Sequence, residues 1–406
     1  MIGNAIITPL VCRVLCSFEI VIVSLALACM PAVSPDLSRS TGASDITASA
    51  ARPAEKPAEA VDAEWSRIVE AARQEGEVIV WGQAGEERRR FWKDAFERAY
   101  PGIRVNLFQA SSSSERDSRF LMEYEAGVAR VDVLVAGSAS ANARVKPIGA
   151  LQSVRPLLRP EVLDPKNWRD GKLIWVDSEQ EYFLLSDTIA APAVAVHRSI
   201  AEGEIQSWDD LLNPKYRGKI VMLDPRGSGR GFAAATFLYY YPGLGPEFTK
   251  EFYRNGIVFS SDERQNAEWV DSGRMLIYVY PNEREIESLR SVGGTLRVIP
   301  VLKVKGMPAG SVLGSDGILF IPNINPLPHP NAARVYVNWF YSREGQQAMA
   351  DIMRIPSNRV DVDVKNVPSY TVPQPGVDYM VLNHYSDTEV VRELRDDVSR
   401  WHIPPQ

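Results

Sequence analysis

Residues Trp208 to Gly231 read WDDLLNPKYRGKIVMLDPRGSGRG, and the order of residue types along them specifies a short helix, a buried strand, an open turn and a second helix. Asp209-Asp210-Leu211-Leu212 opens with acids, which suit the positive end of a helix, and Asn213-Pro214 ends it because proline cannot continue one. Lys219 to Leu223 is apolar after its lysine and is bounded by Gly218 and Asp224-Pro225, the pattern of a strand covered on both faces. Arg226-Gly227-Ser228-Gly229-Arg230-Gly231 then leads into Phe232-Ala233-Ala234-Ala235-Thr236-Phe237-Leu238, whose composition favours helix. Backbone amides of that turn point into open space, so the unit holds the parts of a binding cleft.

Outward from this unit, the chain beyond Glu64 alternates helical stretches with apolar runs, the mark of an α/β fold with mainly parallel sheets. The strands expected are Val78 to Trp81, Ile103 to Phe108, Val131 to Val135, Pro192 to Val196, Lys219 to Leu223, Met275 to Tyr280, Leu296 to Leu302 and Ile318 to Ile321. Each lacks clean polar alternation, which predicts burial on both faces. No internal repeat recurs at a fixed period.

Three stretches, in order, resemble one known family. Glu77 to Arg104, EVIVWGQAGEERRRFWKDAFERAYPGIR, the Trp208 to Gly231 unit, and Pro328 to Gln347, PHPNAARVYVNWFYSREGQQ, are similar to the extracellular solute-binding proteins of bacterial ABC importers, in the ferric-iron or spermidine/putrescine branch. The resemblance runs over residues 64 to 360. It implies a two-lobed periplasmic-binding-protein-like fold of type II, each lobe a mainly parallel sheet flanked by helices. In that family the chain crosses between lobes twice, and the resemblance implies lobe one at 64–195 with 312–360 and lobe two at 196–311. Residues 361–406 extend past the family's usual end, with a terminal helix expected over Asp387 to Trp401.

Composition bounds the same answer. A chain of 406 residues with a formal net charge of -6 and no long Lys/Arg block lacks the basic footprint of a nucleic-acid binder. Its three cysteines, Cys12, Cys16 and Cys29, all precede the expected lobes, so disulfides, thiolate zinc sites and cysteine nucleophiles are excluded from them. Val14 to Ala28 is mostly apolar, follows Arg13 and ends in Ala26-Leu27-Ala28, which marks residues 1–28 as a signal peptide or, since Glu19 interrupts the run, a retained membrane anchor. Cleavage before Cys29 would leave an N-terminal cysteine, making it the candidate for lipidation. Residues 29–63, rich in Ser, Ala, Pro and Thr, read as a disordered linker that would let a membrane-tethered domain move freely. The expected location is periplasmic or extracytoplasmic, with the protein a membrane-tethered monomer.

Open α/β sheets bind ligands at the carboxyl ends of their strands, and that rule selects the loops. The candidate ligand-binding residues are Gln83 after the first strand, Ser112 and Ser113 after the second, Ser138 after the third, Ser228, Gly229 and Arg230 in the quoted turn, and Tyr280. Hydroxyls and free amides at helix starts hold oxygen-rich ligands. Each has a plainer reading as well: Ser114 with Asp117 forms a capping pattern, Arg230 could be a solvated first-turn side chain, and Arg264 is placed to pair with acidic neighbours.

The ferric branch of the family holds iron with adjacent tyrosines, where this chain reads Tyr278-Val279-Tyr280-Pro281-Asn282-Glu283. Alternating Tyr278 and Tyr280 would face one side of a strand, packing a core or stacking on a ligand. Without the tandem an organic or inorganic anion is favoured, with Glu283 and His197 the residues left for ferric iron. The run Tyr239-Tyr240-Tyr241 reads as structural. No hydrolase elbow, dinucleotide fingerprint, phosphate loop or paired-histidine metal spacing is present, and pairs such as Glu86-Glu87 fall on exposed helix faces. The resemblance therefore implies a non-enzymatic, cofactor-free binding protein that closes over a small molecule or ion and presents it to an ABC permease in the inner membrane. A tethered ligand-sensing domain is the alternative.

Overall fold

A computed structural model describes residues 58–401, apart from 136, 138–140, 228, 315 and 386–390. The 1–28 segment and Cys29 lie outside the described residues, as does the linker up to 57. The linker ends earlier than its composition suggests, because the helix Ala58–Glu75 already includes its last residues. Alanines and acids there favour helix, and Trp65, Ile68 and Val69 on its later turns pack against a core, which supplies the burial that a helix needs.

Two five-stranded sheets organise the rest. Sheet one joins β1 (Glu77–Gln83), β2 (Arg104–Ala110), β3 (Val133–Val135), β4 (Leu151–Gln152) and β15 (Leu319–Pro322) in the order β2-β1-β3-β15-β4. Sheet two joins β8 (Val194–Val196), β9 (Ile220–Leu223), β10 (Val258–Ser260), β11 (Ile277–Val279) and β12 (Arg297–Ile299) in the order β10-β9-β11-β8-β12. In sheet one β1 runs parallel to β2 and β3 while β15 is antiparallel to both its neighbours. In sheet two β9 runs parallel to β10 and β11 while β8 is antiparallel to both of its own. Four of five strands in each sheet thus share a direction, and the reversed one is the strand that has just arrived from the other lobe.

A smaller ribbon joins the lobes. In it β14 (Met307–Leu313) carries β13 (Leu302–Val304) and β7 (Ile189–Ala191) along one edge and β16 (Asp378–Val381) along the other. A two-stranded pair, β5 (Ile174–Trp175) with β6 (Leu184–Leu185), completes the strands among the described residues. The first crossing is made by β7, so β8 lies wholly in sheet two, whereas residues 194 and 195 fall in the span read as lobe one. Pro192 sits between β7 and β8, where its missing N–H interrupts pairing and lets the chain change sheets. The run expected as one strand from Leu296 to Leu302 divides for the same reason: Pro300 separates β12 in sheet two from β13 in the ribbon.

Both faces of both sheets are covered. On β1, Val78 and Val80 pack with Phe91, Phe96, Tyr336 and Trp339, while Trp81 turns to the opposite face with Phe120, Leu134 and Phe320. In sheet two Ile220, Met222, Ile277 and Val279 share a cluster with Trp208 and Phe237, and Val221 and Tyr278 enter the other. Each such aliphatic or aromatic side chain contributes roughly 1.5–3 kcal/mol on burial. Trp208, 1 % exposed, is the anchor that ties the quoted unit to lobe two.

Candidate functional site

Five of the parallel strands of the two sheets deliver their chain into an α-helix start. Helices begin at Glu86 after β1, Ser113 after β2, Arg230 after β9, Glu263 after β10 and Glu283 after β11. Their positive ends therefore gather at the carboxyl edges of the sheets, as the topology demands. Three starts are capped by side chains: Ser112 accepts from the Glu115 N–H, Asp262 from that of Gln265 and Asn282 from that of Arg284. The Glu86 and Arg230 helices instead begin after Gly85 and Gly229, which offer no side-chain cap. Gly229 adopts φ 97°, a conformation that costs glycine nothing, and a Cβ there would meet only open space.

Arg230 lies on the wall of a cleft. Its guanidinium donates to the Pro281 carbonyl at 3.2 Å and pairs with Glu283, the first residue of the facing helix. A cation is unfavourable at a helix start, so the carboxylate beside it offsets the dipole. On lobe one Arg88 makes the matching pair, a two-pronged contact with Asp316 at 2.6 and 3.1 Å, and its third nitrogen donates to the Ala84 carbonyl. Asp316 is 2 % exposed. Both pairs line a cleft of about 710 Å³, whose wall also includes Ile189 and Leu313 of the ribbon and Pro368 and Thr371 of the C-terminal segment.

The other candidates fall differently. The Gln83 carbonyl accepts from the Gln109 side chain at 3.2 Å, at the end of β1. Ser112 is spent on capping, and Glu115 reaches back to the Ser111 N–H at 2.8 Å. The capping box therefore sits two residues before the Ser114 and Asp117 pattern, and Asp117 is instead buried beside Arg116. Ser113 is the first residue of its helix; its side chain, like Ser138 and Ser228, lies outside the described residues. Arg264 pairs with Glu268 at 2.9 Å, one helical turn on.

Tyr280 is a correction. It is 2 % exposed in the lobe-two core, against Trp208 and Phe237, and its hydroxyl meets the Ser311 hydroxyl at 2.6 Å. It is not among the residues lining the cleft, and it packs on the opposite side from Tyr278. At φ 53° the backbone of Tyr280 leaves the extended region, so the two-residue alternation that would align it with Tyr278 is broken. Burial pushes both phenols well above their ordinary range, which opposes the phenolate that hard ferric iron takes as ligand. The residues left for iron do not meet either. His197 follows β8 beside the start of β11, donating its N–H to the Leu276 carbonyl, whereas Glu283 lies past the far end of β11. Among the described residues no group of three His, Cys, Asp or Glu side chains converges as a metal site.

Sequence reasoning passed over Arg88 and Asp316. Arg88 sits in Glu86-Glu87-Arg88-Arg89, a run that reads as solvated charge, and its partner is 228 residues away. Only Gly314 and Gly317, on either side of Asp316, could have signalled the close packing there. A Cβ on Gly314 would lie 1.9 Å from Leu185 Cδ1, and one on Gly317 would lie 2.4 Å from Asp187 Oδ1.

The sequence pattern of the bacterial extracellular solute-binding protein family is matched over residues 82–347. No curated protein matches the chain. Among solved structures, ferric iron-binding protein A of Mannheimia haemolytica in an open conformation is similar at a TM-score of 0.61 and 14 % identity, over 81 % of this chain and 100 % of that one. An ABC transporter structure from Clostridium perfringens gives 0.58 at 14 % identity, over 80 % and 98 %. The Atu4243 GABA receptor gives 0.54 at 15 % identity, over 80 % and 97 %. At such identities the likeness is one of fold, the two-lobed architecture of periplasmic binding proteins. The match spans well over half of the chain, and its sheets carry helix starts to a cleft between lobes: the protein belongs to the bacterial extracellular solute-binding family.

Proposed function

We propose that this chain is the extracytoplasmic capture component of an ABC importer, closing by hinge motion over a small organic acid that also carries a donor or cationic group. Lobe one, residues 64–195 with 312–360, and lobe two, residues 196–311, would grip it from opposite sides, and the closed form would dock on an inner-membrane permease. The observation that carries the ligand class is the pair of ion pairs, Arg88 with Asp316 and Arg230 with Glu283, lining one cleft. An anion alone would have to draw an arginine from its carboxylate. Leaving Asp316 buried without its counter-charge would cost on the order of 3–5 kcal/mol. A ligand that meets the arginines with its acid group and the carboxylates with a donor exchanges one set of pairs for another. A simple anion and ferric iron are the competing ligands.

Native mass spectrometry of the protein purified from its host, followed by titration calorimetry with acetate, succinate, 4-aminobutyrate, putrescine and ferric citrate, tests the proposal. The expected bound mass is that of an acid bearing a donor group, and 4-aminobutyrate should bind more tightly than succinate or putrescine. Arg230→Gln should then weaken it about tenfold to a hundredfold, the worth of a charged hydrogen bond. Binding of ferric citrate or succinate alone, unaffected by Arg230→Gln, would reject it. Stimulation of a permease ATPase by the loaded protein separates import from sensing.

A further inference from the structure

We propose that the C-terminal segment, residues 361–385 with the helix Arg392–Trp401, is a third connection between the lobes, restraining the hinge and holding one wall of the cleft in place. It starts on lobe one. There the Asp361, Asp363 and Asn366 carbonyls accept from Arg343, Gln347 and Arg354 at 3.0, 3.0 and 3.2 Å, and the Pro373 carbonyl accepts from Arg169 at 2.9 Å. Between those anchors the chain reaches lobe two: the Tyr370 hydroxyl donates to Glu287 at 2.7 Å, on the helix whose first residue pairs with Arg230. Pro368 and Thr371 beside it line the cleft. Tyr370 is thus a positioning residue that fixes the Glu283–Ser291 helix from the lobe-one side.

The segment then becomes part of the hinge itself. β16 pairs in parallel with Ala309 to Val312 of β14, covering the edge that β7 and β13 leave open. Asn383 clamps the end of β14 with two bonds, accepting from the Gly314 N–H at 2.8 Å and donating to the Gly314 carbonyl at 2.9 Å. Beyond it, all three residues of the tyrosine run in lobe two grip the segment. Tyr241 donates to Asp378 at 2.6 Å, Tyr240 stacks on Tyr385 with ring centres 5.0 Å apart, and Tyr239 donates to Asp397 at 2.9 Å. Leu394 and Val398 complete the anchorage in the lobe-two core.

Hinge rotation requires β7 and β14 to change their backbone torsions. With β16 bonded along β14, and its chain fixed to lobe one on one side and lobe two on the other, those torsions move only if the third strand moves with them. The segment therefore narrows the range of angles that the lobes sample before a ligand binds, and it moves with them when they close.

Pulsed electron–electron distance measurement between spin labels tests this without a ligand. Labels go on Met122→Cys in lobe one and Val292→Cys in lobe two, 65 % and 80 % exposed in the parent, in the full chain with Cys12, Cys16 and Cys29 replaced by serine. Tyr370→Phe and Asn383→Ala should each lengthen and broaden the distance distribution while the protein stays folded by circular dichroism. Gly310→Ala should do so more strongly, since its Cβ would lie 2.8 Å from Tyr379 Cε1 and wedge β16 from β14. Tyr370→Phe and Asn383→Ala carry the test alone if that wedge prevents folding. Folded variants whose distributions superimpose on the parent would overturn the proposal.

Discussion

Gly231 shows how one residue fixes the site. It follows Arg230 at the start of the helix Arg230–Tyr240, and a Cβ there would stand 2.6 Å from the carbonyl oxygens of both Leu223 and Asp224. Those atoms are backbone at the end of β9 and cannot rotate away, so the helix start and strand end touch only because the residue is glycine. Gly231→Ala should lower stability by about 1–3 kcal/mol, as overpacking does, and displace Arg230 from Glu283. Urea unfolding and ligand titration of the same variant measure the two effects; unchanged stability would show that the turn yields more readily than its geometry allows. Gly231 was visible in the first stretch read as part of a small-residue turn, but the reason for it was not, since the atoms it must avoid belong to a strand whose placement depends on the whole sheet.

At the scale of elements, the strands were legible because burial on both faces leaves uninterrupted apolar runs, and β1, β9 and β15 lie where those runs predict. What escaped was whatever depends on a partner distant in sequence or on one backbone torsion. The side on which Tyr280 sits turns on its φ, the division of the Leu296 to Leu302 run turns on Pro300, and the Arg88 pair turns on Asp316. Caps are intermediate: the serine run after β2 announces a helix start, but only the Ser112 to Glu115 bond identifies the cap. Ser112→Ala should therefore cost about 0.5–2 kcal/mol of stability, the worth of an N-cap, and leave ligand affinity unchanged. Thermal unfolding and calorimetry decide the point, and a loss of affinity without a loss of stability would return Ser112 to the ligand site.

For the whole molecule, the question is whether two sheets with separate cores behave as one body. Buried polar groups where the crossings leave lobe one argue that they do. The Asn358 side chain donates to the Leu185 carbonyl at 3.1 Å and bonds the Thr188 hydroxyl, while its own N–H donates to the Ser186 carbonyl at 2.8 Å. Ser186 in turn donates to the Gly317 carbonyl at 2.8 Å, and the Gly317 N–H donates to Asp187 at 3.1 Å. The chain entering the first crossing, the chain leaving the second and the stretch just before the C-terminal segment are thus joined in one place, where unmade bonds are expensive. Calorimetric unfolding should accordingly give a single transition whose calorimetric and van't Hoff enthalpies agree. Asn358→Ala strands the Leu185 carbonyl and the Thr188 hydroxyl, so it should remove about 1–3 kcal/mol and lower the melting temperature of that one transition. Two resolved transitions in the parent protein would mean that the lobes fold independently and that the joined crossings merely connect them.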